Sequence, residues 1–343
     1  MHRCLQLAKL GAGLVAPNPM VGAVLVYQDR IIGEGYHELY GQAHAEVNCI
    51  NSVNEADKKL ISESTLYVSL EPCAHHGKTP PCADLIIKHN IPHVVVACSD
   101  SYKEVDGKGI QKLQQAGINV MVGIVENEAL DLNSRFFTFH TKLRPYIILK
   151  WAQSNNGKIA NEDFSVVKIS HDITNKLVHK WRSEEAAILV GTNTALKDNP
   201  SLTNRLWQGN NPVRLVIDRE LKLPPSLQLF DGTVKTILFN ELKNEAKGNL
   251  IFHKLDASKN LLPALLTALH QLGIQSVFVE GGATLLQSFI DQNYWDEARV
   301  ITSEALSINK GIAAPQLNNN SLASTQKITT DTISTFFNKH HIH

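Results

Sequence analysis

Residues that could bind a metal occur in two short runs in the first quarter of the chain, His44 and then Cys73 with Cys82. One imidazole and two thiols are a common zinc ligand set, and three protein ligands leave the fourth tetrahedral position open for water. Glu46 lies two residues after the histidine, where its carboxylate can reach that water without binding the metal. This spacing predicts a hydrolytic zinc site in which Glu46 carries the proton.

The order of these residues narrows the chemistry. A His-x-Glu run followed by Pro-Cys and a second cysteine is typical of zinc-dependent base deaminases. The alternative is a closed structural zinc site, which needs a fourth Cys or His, and His75 or His76 could supply it. The offset of Glu46 and the Pro72-Cys73 pair favour the catalytic interpretation.

Each predicted ligand lies at the end of a predicted element. His44 opens a helix, Cys82 lies near the start of the helix over 81–89, and Cys73 follows the strand over 65–70. Helix N-termini favour thiolate over thiol, because the unpaired amides there stabilise negative charge. Two such ends that converge on one point would hold a metal with little strain.

Eight residues, 74–81, separate the two thiols, where a shorter Pro-Cys-x-x-Cys spacing is common. His76, Lys78 and Thr79 in this segment can donate hydrogen bonds to a phosphate and to ribose hydroxyls. A solvated loop is the alternative, but its place between two metal ligands favours substrate contact.

The composition indicates two ordinary globular domains. The chain has 343 residues, of which 43% are hydrophobic, and 33 basic residues balance 33 acidic ones. A zero net charge argues against a nucleic-acid partner. No apolar run is long enough to span a bilayer, and the cysteines suit a reducing compartment. We therefore expect a cytoplasmic protein with no membrane partner, while the sequence leaves open whether it forms a homo-oligomer.

Strands alternating with helices predict a layered α/β fold in both halves of the chain. The pattern restarts at Arg144-Pro145, so we expect domains at 1–143 and 146–343. A single closing helix is predicted over 126–141, and a polar surface loop over 318–324.

The best feature of the second half is a glycine pair, Gly281-Gly282, between a predicted strand and a predicted helix. Backbone amides at such a turn can bind a pyrophosphate. A plain strand-to-helix turn explains the pair equally well.

Three segments together resemble the family of bifunctional riboflavin-biosynthesis deaminase–reductases: residues 16–24 (Ala-Pro-Asn-Pro-Met-Val-Gly-Ala-Val), His44-Ala45-Glu46, and residues 70–82 with their long Cys-to-Cys loop. The resemblance covers nearly the whole chain. It implies a cytidine-deaminase-like three-layer αβα domain followed by a dihydrofolate-reductase-like α/β domain.

The resemblance implies two reactions. The first is hydrolytic deamination of a small phosphorylated substrate, a diaminopyrimidinone ribosylamine phosphate, and the second is reduction of the ribosyl group of its product to ribityl with NADPH. In the first site, His44, Cys73 and Cys82 would bind Zn²⁺, Glu46 would donate the proton, and Asn18 would contact the pyrimidine. Asn18 is otherwise an ordinary turn residue.

In the second domain the resemblance implies two sets of contacts. The substrate would be bound by Arg182, Leu202, Arg205 and Glu280. The cofactor would be bound by Ala152, Lys168, Thr194, Asp198, Gly282, Ala283, Thr284, Leu285, Leu286, Gln287 and Ser288.

The second domain also departs from the family pattern. Asn156 replaces the aspartate of Ser-x-Asp-Gly, and Lys168-Ile169-Ser170-His171 replaces a Trp-Ile-Thr-Ser-like run, so Lys168 could pair with a phosphate.

Two other functions are consistent with parts of the sequence. One keeps the deaminase and makes the second domain a non-catalytic binding or dimerisation module. The other is a nucleic-acid deaminase, against which the zero net charge and the 74–81 segment argue.

Overall fold

A computed structural model describes residues 1–76, 80–100, 107–163, 165 and 167–340. The chain divides into two compact units, Met1–Leu143 and Arg144–Ile342. In the described part of the chain, every helix is too short or too polar to cross a lipid bilayer.

The described residues of the first unit form a mixed five-stranded sheet and six α-helices. The strands, in spatial order β2-β1-β3-β4-β5, are β1 (Gly22–Tyr27), β2 (Arg30–Tyr36), β3 (Thr65–Val68), β4 (His93–Val96) and β5 (Asn119–Val122). The helices are α1 (His2–Ala8), α2 (Ala45–Asn51), α3 (Cys82–Lys88), α4 (Lys108–Gln115), α5 (Glu126–Leu132) and α6 (Ser134–Thr141).

Alternating side chains of the strands bury the two faces of this sheet against different helices. Leu25 and Leu66 face α2, α3 and α4, whereas Val24 faces α1. Helices α5 and α6 pack with α1 on that second side, around Phe136 and Phe137. The unit is thus a three-layer αβα domain, as predicted.

The strands of this sheet run in both directions. The hairpin β1–β2 is antiparallel. Strands β3, β4 and β5 run parallel, so their carboxyl ends meet at one edge.

The single helix predicted over 126–141 is wrong, because the chain breaks into α5 and α6 at Asn133. The side chain of Asn133 is buried and reaches Met20. Its Oδ1 accepts the Met20 N–H at 2.8 Å, and its Nδ2 donates to the Met20 carbonyl at 2.9 Å. These two bonds satisfy the backbone of a distant turn, which outweighs continuation of the helix.

The second unit is built on a ten-stranded mixed sheet. Its spatial order is β11-β12-β10-β9-β8-β13-β6-β14-β17-β16. These strands are β6 (Tyr146–Ser154), β8 (Ala187–Gly191), β9 (Val213–Ile217), β10 (Thr236–Asn240), β11 (Glu245–Lys247), β12 (Leu250–Lys254), β13 (Ser276–Val279), β14 (Glu297–Ser303), β16 (Asn320–Ile328) and β17 (Asp331–Asn338). The short strands β7 (Lys158–Asn161) and β15 (Gly311–Ala313) pair separately.

Helices cover both faces of the large sheet. They are α7 (Asp172–Glu184), α8 (Thr192–Asp198), α9 (Leu261–Gln271) and α10 (Ala283–Asp291). Helices α9 and α10 pack on the face that carries Leu149 and Val279, whereas α7 and α8 pack on the face that carries Ile148 and Phe278. The central strands β8, β13 and β6 are parallel, so the residues after them share one edge.

The loop predicted over 318–324 is also wrong, because β16 begins at Asn320 and pairs antiparallel with β17. Its side chains are mostly exposed, since β16 lies at the edge of the sheet. An edge strand with solvated side chains lacks the apolar alternation that marks strands in a sequence.

The start of the second unit is held by a buried ion pair. Arg144 donates two hydrogen bonds to Asp296, at 2.6 and 2.7 Å, and Asp296 also accepts the Ile147 N–H at 2.9 Å. Asp296→Asn is expected to lower the free energy of unfolding by about 3 kcal/mol, because Arg144 stays buried without its counter-charge. Denaturant unfolding followed by tryptophan fluorescence measures this unit alone, since all four tryptophans lie between residues 151 and 295.

The matched control is the exposed pair Arg219–Glu241, in which the arginine side chain is 55% accessible. Arg219→Gln should cost less than about 1 kcal/mol. Equal losses for the two variants would contradict a special role for the buried pair.

Candidate metal centre and reductase site

The three predicted metal ligands lie at the ends of three elements of the first unit. His44 is the N-cap of α2, with an extended backbone that turns its side chain out of the helix. Cys82 is the first residue of α3, and Cys73 lies in the segment after β3. The two cysteines are also joined directly, since the Cys82 N–H donates to Cys73 Sγ at 3.3 Å and the Ala83 N–H donates to the Cys73 carbonyl at 3.1 Å.

The spacing of the ligand atoms fits a tetrahedral zinc ion. His44 Nδ1 lies 3.7 Å from Cys73 Sγ and 3.3 Å from Cys82 Sγ, and all three atoms lie within 4.8 Å of one another. Zinc–sulfur and zinc–nitrogen bond lengths place such ligand atoms about 3.5 Å apart. The donor set and its geometry therefore suit zinc with little rearrangement.

Charge in the site also favours a metal cation. Hydrogen bonds from Cys82 and from His44 outweigh burial and lower the pKa of the Cys73 thiol to about 4, whereas the hydrogen bond to Cys73 and burial raise the pKa of the Cys82 thiol. The thiolate is the form that binds zinc. Burial, together with the charge on Cys73, raises the pKa of the Glu46 carboxyl to about 7.

Glu46 lies in the first turn of α2 with its side chain buried, and it lines the same cavity as His44 and Cys73. Within the part of the chain that the structure describes, the metal-binding cluster comprises His44, Cys73 and Cys82 alone. His75 and His76 are exposed and do not join it. The closed four-ligand alternative therefore has no support in the described residues, and the arrangement can hold an ion with one position open.

The cavity beside the cluster has a volume of about 330 Å³ and lies within the first unit. Asn18 and His75 line it, together with the aromatic ring of Phe136 on α6. Lys78 and Thr79, predicted to contact substrate, lie outside the described residues. A role for His76 in binding substrate stays a prediction.

Asn18 lies in a turn that is fixed from two sides. Its N–H donates to the Val15 carbonyl at 2.9 Å, and Asn133 holds the backbone of Met20. His37 completes the arrangement: its Nε2 lies 3.2 Å from Asn18 Nδ2. The turn that carries Asn18 is thus held rigidly beside the metal ligands.

The segment that carries Cys73 is anchored by the buried carboxylate of Glu71. Its Oε1 accepts the N–H groups of Gly109 and Ile110 at 2.9 and 3.2 Å, and its Oε2 accepts those of Asp100 and Gly107 at 3.2 and 3.1 Å. A side chain at Gly109 would collide with the Pro72 carbonyl, because an added Cβ would lie 1.8 Å from that oxygen. Glu71 thus caps α4 and fixes the position of Pro72, the residue before Cys73.

In the second unit, two of the predicted residues meet a lysine that the sequence analysis missed. Arg182 donates two hydrogen bonds to Glu280, at 2.6 and 2.8 Å, and a third to the Thr203 carbonyl at 3.3 Å. Lys150 Nζ lies 3.5 Å from Glu280 Oε2. Although burial opposes it, Arg182 and Lys150 lower the pKa of Glu280 to about 2, so this carboxylate stays charged.

Arg205 and Leu202 lie in the segment after α8. The Arg205 N–H donates to Nδ1 of His179 on α7 at 3.0 Å, and its guanidinium donates to the hydroxyls of Ser201 and Thr203. Leu202 is buried in a left-handed conformation. Arg205 is exposed at its guanidinium, whereas all three guanidinium nitrogens of Arg182 are engaged.

The predicted glycine turn is present at the start of α10. Gly282 is the N-cap with φ of 74°, and a Cβ added there would lie 3.2 Å from Thr194 Oγ1 on α8. The backbone amides that follow, 283–285, begin the helix and have no partner within it. Further along the predicted cofactor run, Leu286 packs in the core.

The side chains of Gln287 and Ser288 bond within the unit. Gln287 bonds with Asp291 and with the backbone of Gln316, and Ser288 donates to the Thr284 carbonyl. From Leu286 onward the backbone N–H groups bond within the helix, so in the predicted run only the amides before Leu286 lack a helical partner.

The remaining predicted cofactor residues are separated along the sheet. Ala152 is half-buried on β6 beside Ile301, and Asp198 ends α8. Lys168 is exposed and paired with Asp172 at 2.5 Å, four residues along the chain. Contacts of these residues with a cofactor stay predictions.

Asn156, the departure from the family pattern, is held at both ends of its amide. Its Nδ2 donates to the Ile308 carbonyl at 2.9 Å, and its Oδ1 accepts the Ile308 N–H at 3.2 Å and the Ser154 hydroxyl at 2.7 Å. An aspartate cannot make the first of these bonds. The asparagine therefore has a structural partner of its own here.

Sequence reasoning missed several polar residues that position these sites: His37, Glu71, Asn133, Lys150 and His179. All except Lys150 are nearly or fully buried, and Lys150 is largely so. A lysine inside an otherwise apolar strand is the one signal that could have identified Lys150, because such a charge needs a partner.

Comparisons with known proteins agree with this geometry. Residues 1–98 match the cytidine and deoxycytidylate deaminase zinc-binding region, and residues 145–306 match the RibD C-terminal domain. The chain is 40% identical to riboflavin biosynthesis protein RibD of Aquifex aeolicus, over 96% of this chain and 92% of that protein. It is 33% identical to RibD of Escherichia coli, over 89% of this chain and 87% of that protein.

Among solved structures, a diaminohydroxyphosphoribosylaminopyrimidine deaminase/5-amino-6-(5-phosphoribosylamino)uracil reductase from Thermotoga maritima superposes with a TM-score of 0.90. The two are 35% identical, and the match covers 98% of this chain and 97% of that one. Because these matches extend over nearly the whole chain, they assign both of its halves to one family. The chain belongs to the RibD family of bifunctional riboflavin biosynthesis enzymes, with a zinc-binding deaminase domain followed by an NADPH-dependent reductase domain.

Proposed function

We propose that the first unit hydrolyses an amine of a diaminopyrimidinone ribosylamine phosphate, and that the second unit reduces the ribosyl group of the product to ribityl. The observation that carries the first step is the cluster of His44, Cys73 and Cys82 beside the buried Glu46. The similar Thermotoga maritima protein, which is described as both the deaminase and the reductase, supports this substrate pair.

In the deaminase, His44, Cys73 and Cys82 would hold the zinc ion, which when bound supplies a Lewis acid to activate water for attack on the ring carbon. Glu46 takes up a proton from the water and delivers it to the ring nitrogen. It then carries a second proton, from the hydroxyl now on the ring carbon, to the departing amine, which leaves as ammonia. A buried carboxyl with a pKa near neutrality suits both halves of this transfer.

In the reductase, the exposed guanidinium of Arg205 is best placed to bind the substrate phosphate, with two parallel hydrogen bonds. Arg182 instead holds Glu280 in place, because each of its three guanidinium nitrogens already donates a hydrogen bond. The charged Glu280 carboxylate then accepts a hydrogen bond from a ribosyl hydroxyl.

NADPH, when bound, supplies the hydride, and the chain supplies a place for its pyrophosphate. The turn at Gly282 fits this group, because three backbone amides without a helical partner follow it. A side chain on Gly282 would lie against Thr194 Oγ1 and narrow the site. The alternative of a non-catalytic second domain predicts no NADPH oxidation by the purified chain.

Glu46→Gln should reduce ammonia release by about 10²-fold or more, because the proton carrier is removed while its shape is kept. Zinc content per chain should be unchanged, and reduction of the deaminated substrate on the same sample serves as the control. Loss of zinc from this variant would show that Glu46 supports the metal ligands instead.

Removal of the metal with a strong chelator should abolish ammonia release but leave NADPH oxidation with the deaminated substrate intact. The reason is that the metal ligands all lie in the first unit. Added Zn²⁺ should restore the first activity. A parallel loss of reduction would contradict the assignment of separate sites to the two units.

Arg205→Ala should raise the KM of the reductase about tenfold, because one charge-assisted contact with the phosphate is lost. Deamination should not change. Arg219→Ala, which also removes an exposed arginine of the second unit, is the matched control. An equal KM for the two variants would remove Arg205 from the phosphate site.

A further inference from the structure

His37 follows β2, and both nitrogens of its buried ring have a partner. Nδ1 lies 3.0 Å from the carbonyl oxygen of Ala43, the residue before the metal ligand His44. Nε2 lies 3.2 Å from the amide nitrogen of Asn18. The ring thus joins the turn that carries Asn18 to the segment that carries a zinc ligand.

The carbonyl partner decides which ring nitrogen carries the hydrogen. A backbone carbonyl only accepts hydrogen bonds, so Nδ1 must be the donor. The ring is 2% exposed, and no carboxylate among the described residues is hydrogen-bonded to it, so the neutral form avoids a buried unpaired charge. Nε2 then has a lone pair and accepts from Asn18.

This tautomer orients the amide of Asn18. With Nδ2 turned toward His37, Oδ1 is turned away from it, and in the part of the chain that the structure describes Oδ1 has no hydrogen-bond partner. Asn18 and His37 both line the cavity beside Glu46. The backbone of the turn is already fixed by Val15 and Asn133, so the rotation of the amide is the freedom that His37 removes.

We propose that His37 is a positioning residue that sets the polarity of this subsite: it makes Asn18 present an acceptor, which selects a pyrimidine edge that donates a hydrogen bond. A 2-amino-4-pyrimidinone has such an edge, because the ring nitrogen between the amine carbon and the carbonyl carries a hydrogen. A cytosine has a lone pair at the ring nitrogen beside its amine carbon. This inference rests on the proposed deaminase function and adds the source of its specificity.

Two substitutions separate the two hydrogen bonds of His37, and both also remove the edge contact of its ring with His44, 5.4 Å between centroids. His37→Asn reaches the position of Nδ1, so it keeps the bond to Ala43 and loses the contact with Asn18. His37→Gln reaches the position of Nε2, so it keeps an acceptor for Asn18 and loses the bond to Ala43. We expect deaminase kcat/KM to fall about tenfold for His37→Asn and no more than about threefold for His37→Gln, as for loss of a single orienting hydrogen bond.

Zinc content is measured on the same samples. Equal losses, or a larger loss for the glutamine variant, would overturn the proposal, because His37 would then act through the Ala43 segment. Loss of zinc from the asparagine variant would overturn it as well, since His37 would then support the metal ligands.

The coupling to Asn18 is tested in an Asn18→Leu background. If His37 acts through the amide of Asn18, His37→Asn should reduce kcat/KM less than about twofold further there. A full additional tenfold loss would contradict the proposal. A wild-type chain that releases no ammonia from the diaminopyrimidine substrate would instead refute the proposed function, so the two failures are distinguishable.

Discussion

The deaminase unit depends on the convergence of three chain segments on one point, where a nitrogen and two sulfur atoms lie within 4.8 Å of one another. The starts of α2 and α3 supply His44 and Cys82, and the segment after β3 supplies Cys73. The first amides of a helix have no partner within it, and one of them, the Cys82 N–H, donates to Cys73 Sγ. The unpaired amides at the start of a helix therefore stabilise the thiolate that a metal requires.

Side-chain amides that replace backbone partners recur around both sites. Asn133 pairs with both backbone groups of Met20, and Asn156 does the same with Ile308. Each amide carries a donor and an acceptor, so it can pair with an isolated backbone segment as a neighbouring strand would. Such pairing gives turns near an active site a fixed geometry without regular secondary structure. In the orientation proposed above, Asn18 donates to His37 and would offer the acceptor of the same amide to a ligand.

In the reductase unit, the largely buried carboxylate of Glu280 is kept charged. Arg182 binds Glu280 through two hydrogen bonds, and Lys150 adds a second positive charge. The adjacent parallel strands β6 and β13 bring Lys150 and Glu280 side by side, and α7 supplies Arg182. A charge held in this way can orient a substrate hydroxyl without rearrangement when the substrate binds.

Residue type, short spacing and periodicity were enough to predict the metal ligands, a neighbouring carboxylate as proton carrier and the layered α/β character. The break at Asn133, the strand at 320–328 and the contacts of His37 and Lys150 became visible only in the folded chain. Asn133 and Lys150 depend on partners far away in the chain, Met20 and Glu280, whereas the strand at 320–328 was hidden by its exposed side chains at the edge of the sheet. Local spacing carries no information about such partners, because folding and not sequence distance brings them within hydrogen-bond range.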